Sequence, residues 1–156
     1  MKISTKGKYG LRAMIDLAQY SEQEAVSISS IAQRQKISES YPEQLVAKLK
    51  KAGLVVSIRG AAGGYRLARP ASGISVGDVL RALEGDVRAV ICTAQTEEGC
   101  EGEELCVTKY VWQRINESIE KTVDEMMIDQ LVAESRKAQE KAKNHDVDYS
   151  RNSCSG

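Results

Sequence analysis

Three cysteines fall within fifteen residues as Cys92-x7-Cys100-x5-Cys106, and a fourth, Cys154, stands two residues from the end of the 156-residue sequence. Thiolates are soft metal ligands and nucleophiles, so the cluster points to metal or redox chemistry wherever disulfides do not form. The opening residues Met1 to Lys8 carry charge with no apolar run behind it, so no signal peptide is expected and the chain reads as cytoplasmic. Zinc sites favour CxxC pairs and four ligands, and neither is present. Three thiolates amid Glu97-Glu98-Gly99-Cys100-Glu101-Gly102-Glu103-Glu104 suit an iron–sulfur cluster better. Spacing alone leaves that reading and a cluster-free one open. Cys154 reads as a free tail thiol, and His145, the sole histidine, as a solvated side chain. With no nucleophile–base pair and no nucleotide loop, an enzyme is not expected.

A second group of candidates is basic. Residues 1–70 hold twelve Lys/Arg against five acids, a net +7, while residues 71–156 hold ten against seventeen, a net −7. The overall charge of zero therefore hides a half suited to a polyanion. Ser40, Tyr41, Glu43 and Gln44 would open a helix whose N-terminal turn meets base edges, since Gln can pair with adenine and Glu can accept from cytosine. Lys48, Lys50, Lys51, Lys2, Lys6 and Lys8 would neutralise phosphates. Arg59 and Gly60 head a glycine-rich turn from which a guanidinium can enter a minor groove. Ser40-x-x-Glu43 equally matches a capping box, in which Glu43 would serve only the helix end. The glycines at 60–64 match neither a dinucleotide nor a phosphate-loop pattern.

These residues need elements to hold them. Leu11, Met14, Ile15, Leu17 and Ala18 recur at helical spacing and predict a helix over 4–20, capped by Ser4 or Thr5. A shorter helix over 29–36 and a third from Ser38 or Ser40 to Ala52, stopped by Gly53, make a helix-turn-helix. Strands over 54–58 and 65–67 flank the glycine run and make a β-hairpin wing, followed by a helix over 75–83. From Glu103 to Ser155 there is neither Gly nor Pro, which predicts one long helix beginning near Leu105 or Cys106. Its stripe of Trp112, Ile115, Ile119, Val123 and Met126 suits pairing with a second copy. The expected fold is mainly α with a small hairpin wing: a winged helix-turn-helix plus a long dimerisation helix. Its units are a DNA-binding domain over 1–84, a cysteine loop over 85–105, the dimerisation helix over 106–143 and a polar, disordered tail over 144–156. No window approaches a membrane-spanning helix.

The residues Lys6-Gly7-Lys8-Tyr9, Ile37-Ser38-x-Ser40-Tyr41-x-Glu43-Gln44-Leu45 and Gly53-Leu54-Val55-x-Ser57-x-Arg59-Gly60-x-x-Gly63-Gly64-Tyr65 closely resemble the IscR-type family of bacterial transcription regulators. So does Cys100-Glu-Gly-x-x-Leu105-Cys106-Val-Thr-x-x-x-Trp112. The resemblance covers roughly residues 1–130. It implies a homodimer on double-stranded promoter DNA, acting as repressor or activator, often with a 2Fe–2S or 4Fe–4S cluster. Such regulators commonly control iron–sulfur assembly genes, and relatives sense nitric oxide or control cysteine metabolism. By that resemblance Ser40, Glu43, Gln44 and Arg59 contact DNA, while Cys92, Cys100 and Cys106 ligate the cluster. The family's common histidine after the last cysteine is Lys109 here, and the acid that some relatives carry near position 8 is Lys8. The gap between the first two cysteines is also two residues longer than the best-known pattern. The fourth ligand is thereby left unassigned, with an oxygen of Glu101, Glu103 or Glu104, or a small molecule, expected in its place.

Overall fold

The computed structural model describes residues 2–92, 99–102 and 104–153, with side chains through His145. The element order is α1 (Thr5–Tyr20), α2 (Ile28–Gln35), α3 (Ser40–Lys51), β1 (Val55–Ile58), β2 (Gly64–Leu67), a 3-10 turn (Ala71–Gly73), α4 (Val76–Glu84), α5 (Thr108–Glu125) and α6 (Ile128–Ser153). The mainly helical fold with a hairpin wing is present as expected. Cys154 and Glu103 lie outside the described residues.

Helix α1 is the hub. Its Met14 and Leu17 are fully buried among Ile31 of α2, Leu45 and Leu49 of α3, and Val79 of α4. The approach of α4 is possible because α1 carries glycine at two contact points. A Cβ on Gly10 would overlap the Leu83 side chain, and one on Gly7 would overlap the Glu84 carboxylate. Ser4 occupies the cap position of α1, yet its side chain does not cap the helix. Glu84 does so instead, accepting from the Ser4 N–H (2.8 Å), the Ser4 hydroxyl (2.6 Å) and the Gly7 N–H (3.1 Å). The Ser4 hydroxyl above all, with those N–H groups, holds the Glu84 carboxyl below the usual carboxylate range.

The two helix-turn-helix helices are locked to α1 by different chemistry. Asp16, buried in α1, takes a bidentate pair from Arg34 of α2 (2.7 and 2.9 Å) and a third bond from Gln35 (3.0 Å). The Arg34 guanidinium also lies over the Tyr20 ring, 4.2 Å from its centre. Helix α3 instead buries Pro42, Leu45, Val46 and Leu49, and Pro42 sits in the first turn, where its missing N–H is no loss. The wing is an antiparallel pair with Val55 opposite Leu67 and Ile58 opposite Gly64. A third, single-residue strand joins it. Val26 and Tyr65 exchange N–H···O bonds of 2.9 and 2.8 Å, which ties the wing to the start of the helix-turn-helix.

The single long helix expected over 106–143 is two helices. Met126 turns extended, Val76 N–H donates to its carbonyl (2.8 Å), and Ile128 N–H donates to the Ile74 carbonyl (2.9 Å). This bridge, centred on Ser75 and Met127, interrupts the helix and redirects α6 across α1. The redirection places Ile128 and Val132 in the core. Gln130 caps the restart, its side-chain oxygen accepting from the Met127 N–H (3.1 Å). The expected tail over 144–156 is also revised: the backbone of α6 continues as helix to Ser153. No helix among the described residues is long and apolar enough to cross a membrane.

Candidate DNA-reading face and cysteine segment

On α3 the buried residues leave Glu43, Gln44 and Lys48 exposed, with Ser40 exposed at the start. Ser40 does not form the capping box that is the alternative to a base-reading Glu43. Glu39 holds the cap position without a side-chain bond, and Ser40 lies inside the helix with only the Ser38 hydroxyl near it, at 3.5 Å. The capping box forms at α4, where Ser75 and Asp78 exchange side-chain-to-backbone bonds of 3.0 Å. Among the described residues the side chains of Glu43, Gln44 and Lys48 make no hydrogen bond or ion pair, so their polar groups are available to an incoming ligand.

Tyr41 is half-buried. Its ring meets Tyr9 edge-on, with centroids 5.6 Å apart at 82°, and Arg12 lies 5.1 Å from the Tyr9 centre. The tyrosine pair thus forms one of the contacts between α1 and α3. Lys50 is engaged as well, its ammonium donating to the Ser57 hydroxyl of β1 (3.0 Å). Arg59 is exposed at the wing tip. The turn that carries it needs glycine: Gly60 has φ +113°, and its carbonyl accepts from Gly63 N–H (3.0 Å).

Cys92 and Cys106 are half-exposed and Cys100 is exposed, all three as free thiols. Cys106 precedes α5 by two residues, and its sulfur sits 3.2 Å from the Thr108 hydroxyl. That hydroxyl first, then the backbone N–H groups of Lys109 and Thr108, hold the Cys106 thiol below the ordinary thiol range. Three thiols, one biased toward thiolate, are the donor chemistry that iron–sulfur clusters take. Among the described residues no three His, Cys, Asp or Glu side chains converge as a metal site. Glu101 and Glu104 are exposed.

At its start the segment over 85–105 is tied to the rest of the fold. Val87 is buried in the core, and Asp86 takes three side-chain bonds from Arg88. Asn116 of α5, which the sequence did not single out, is buried and bonded to the backbone of Ala89 and Val90. A lone polar residue on an amphipathic helix carries no sequence signal that separates it from a solvated one.

A helix-turn-helix docked on α1, with an arginine exposed at the wing tip and a third helix that exposes Glu43, Gln44 and Lys48, defines a winged helix-turn-helix transcription regulator. The chain belongs to the Rrf2 family: the family model, described as an iron-dependent transcriptional regulator, matches residues 3–134. It is similar to the HTH-type transcriptional regulator IscR of Yersinia enterocolitica, at 41% identity over 132 residues, covering 85% of this chain and 79% of that protein. Among solved structures it resembles CymR, the global cysteine regulator of B. subtilis, with 41% identity and a TM-score of 0.71 over 85% of this chain and 97% of that one. It also resembles T. potens IscR, with 45% identity and a TM-score of 0.70 over 89% and 91% of the two chains. The protein is therefore a DNA-binding transcriptional regulator and not an enzyme.

Proposed function

We propose that this regulator reports iron–sulfur status, binding promoter DNA as a homodimer and controlling genes of iron–sulfur cluster assembly. The observation that carries the reading is the set of three free thiols in the stretch of chain between the winged DNA-reading domain and α5. Cys92, Cys100 and Cys106 would hold the cluster, which when bound supplies a redox-active iron centre that responds to oxidants or nitric oxide. The chain's own share is to present sulfur as thiolate, which Thr108 and the first N–H groups of α5 favour at Cys106. Three thiolates beside Glu101 and Glu104 repel one another, so neutralising them would draw the segment together. On the DNA side, Glu43 and Gln44 would read bases, Arg59 would enter a minor groove, and Lys48 would sit on phosphate.

A second copy would pair through α5. Its outer face leaves Val111 and Ile115 exposed beside Ile119 and Ser118, forming a shallow apolar groove with Met126 exposed further along the helix. The likeness to CymR favours a second reading, a cluster-free regulator of cysteine metabolism with the same DNA-reading face.

Anaerobic reconstitution with iron and sulfide, followed by absorption and Mössbauer spectroscopy, separates the two readings. The expected result is a brown protein whose absorption is lost in Cys92→Ala, Cys100→Ala and Cys106→Ala and kept in Cys154→Ala. A colourless protein with all thiols reduced would establish the cluster-free reading. In gel shifts Arg59→Ala should weaken binding by about 1–3 kcal/mol with the fold intact.

A further inference from the structure

The only fully buried residue of α5 is polar: Asn116, 4% exposed. A buried amide is unfavourable unless it is bonded, and an aliphatic side chain would fill the same space without that demand. Here every bond goes to one short stretch of backbone. Asn116 Oδ1 accepts from the N–H groups of Ala89 (2.9 Å) and Val90 (3.3 Å), and its Nδ2 donates to the Val90 carbonyl (2.8 Å). The amide acts toward Val90 as a neighbouring strand would, since residues 86–92 form no helix or strand of their own.

We infer that Asn116 is the positioning residue of the cysteine segment, fixing the chain two residues before Cys92 against the helix that starts beside Cys106. The inference rests on the reading of these cysteines as one site. Its physical content is a shared reference. Cys106 adjoins the first turn of α5, Asn116 sits further along the same rigid helix, and Val90 is held to Asn116. Val87 anchors the same segment from the core side. Both outer cysteines are thereby placed relative to one helix, Cys92 through a contact that bridges twenty-six positions of chain. Releasing the amide frees Cys92 relative to Cys106 without altering either thiol.

The test uses the full-length chain. In the apo protein, hydrogen exchange at the Ala89 and Val90 amides should be slow, and on the order of tenfold faster in Asn116→Leu, the equivalent of about one lost hydrogen bond. In the anaerobically reconstituted protein, Asn116→Leu should lose its cluster absorption in air several-fold faster than wild type. Asn116→Asp, which keeps the acceptors and loses the donor, should fall between them and guards against a variant that fails to fold. Ile31→Val, a core truncation on α2 and outside the segment, controls for stability and should lower the melting temperature while leaving the decay at the wild-type rate. Decay in Asn116→Leu and Asn116→Asp equal to wild type would overturn the role of Asn116, as would equal acceleration in Ile31→Val. A wild type that takes up no iron would overturn the cluster reading and this role with it.

Discussion

At Cys106 a hydroxyl and two backbone N–H groups meet one sulfur, and all three stabilise its charged form. The sign of the consequence is clear: a thiol pKa lowered in the folded state keeps thiolate present at pH values where the unfolded chain carries thiol. Alkylation of Cys106 by iodoacetamide, followed residue by residue in the apo protein, should therefore show a midpoint below that of the same cysteine in denaturant. Thr108→Val removes the largest contribution, so it should move the midpoint upward and slow alkylation at neutral pH. A midpoint unchanged by Thr108→Val would mean that the helix end alone sets the thiol. The residue types of this site were legible from sequence, since three cysteines in so short a span are rare. Their tuning was not, because it depends on where α5 begins, and helix starts without a side-chain cap carry weak local signals.

The elements carry their own strain. The turn between α2 and α3 places Lys36 at φ +55°, the only non-glycine described residue with positive φ. Its N–H groups are well used, with Ile37 N–H donating to the Ala32 carbonyl (3.0 Å) as the closing bond of α2. An L-residue there costs roughly 1–2 kcal/mol, against about 0.5–1 kcal/mol of extra backbone freedom for glycine. Lys36→Gly should therefore stabilise the protein by about 0.5–1 kcal/mol, read as a higher urea midpoint with an unchanged slope. A lower midpoint would mean that the lysine side chain offsets its own backbone strain. The helix-turn-helix and wing were readable because Gly53, Gly60 and the apolar spacing of α3 are local features. The same local logic offered a capping box at Ser40 and Glu43 as the alternative to a base-reading Glu43, and the folded chain forms its box at Ser75 and Asp78.

At the scale of the molecule, the apolar surface of α5 is divided between two uses. Val123 of the expected stripe turns toward the core, whereas Val111, which lay outside that stripe, joins Ile115 and Ile119 on the outer face. A winged domain reads about half an operator, so a two-fold pair through this face would match a partly palindromic site. Replacing Ile115 and Ile119 by Glu would set four carboxylates into the contact of two copies. Light scattering should then find monomers, with the melting of the winged domain unchanged and DNA affinity reduced. A double variant that remains dimeric would place the interface elsewhere.

What the sequence determined by itself was everything encoded within a few residues of chain: the period of each helix, the glycines of the wing, the basic first half and the grouping of the cysteines. Tertiary structure decided what depends on groups distant along the chain. The break between α5 and α6 has no Gly or Pro to announce it, because its cause is a backbone bridge from residues 74–76 to 126–128. Glu84 caps a helix whose first residues lie eighty positions earlier. Asn116 holds Val90 across twenty-six. In each case a polar group is satisfied by whichever partner the packed chain brings to it, and that choice is made only when the core closes.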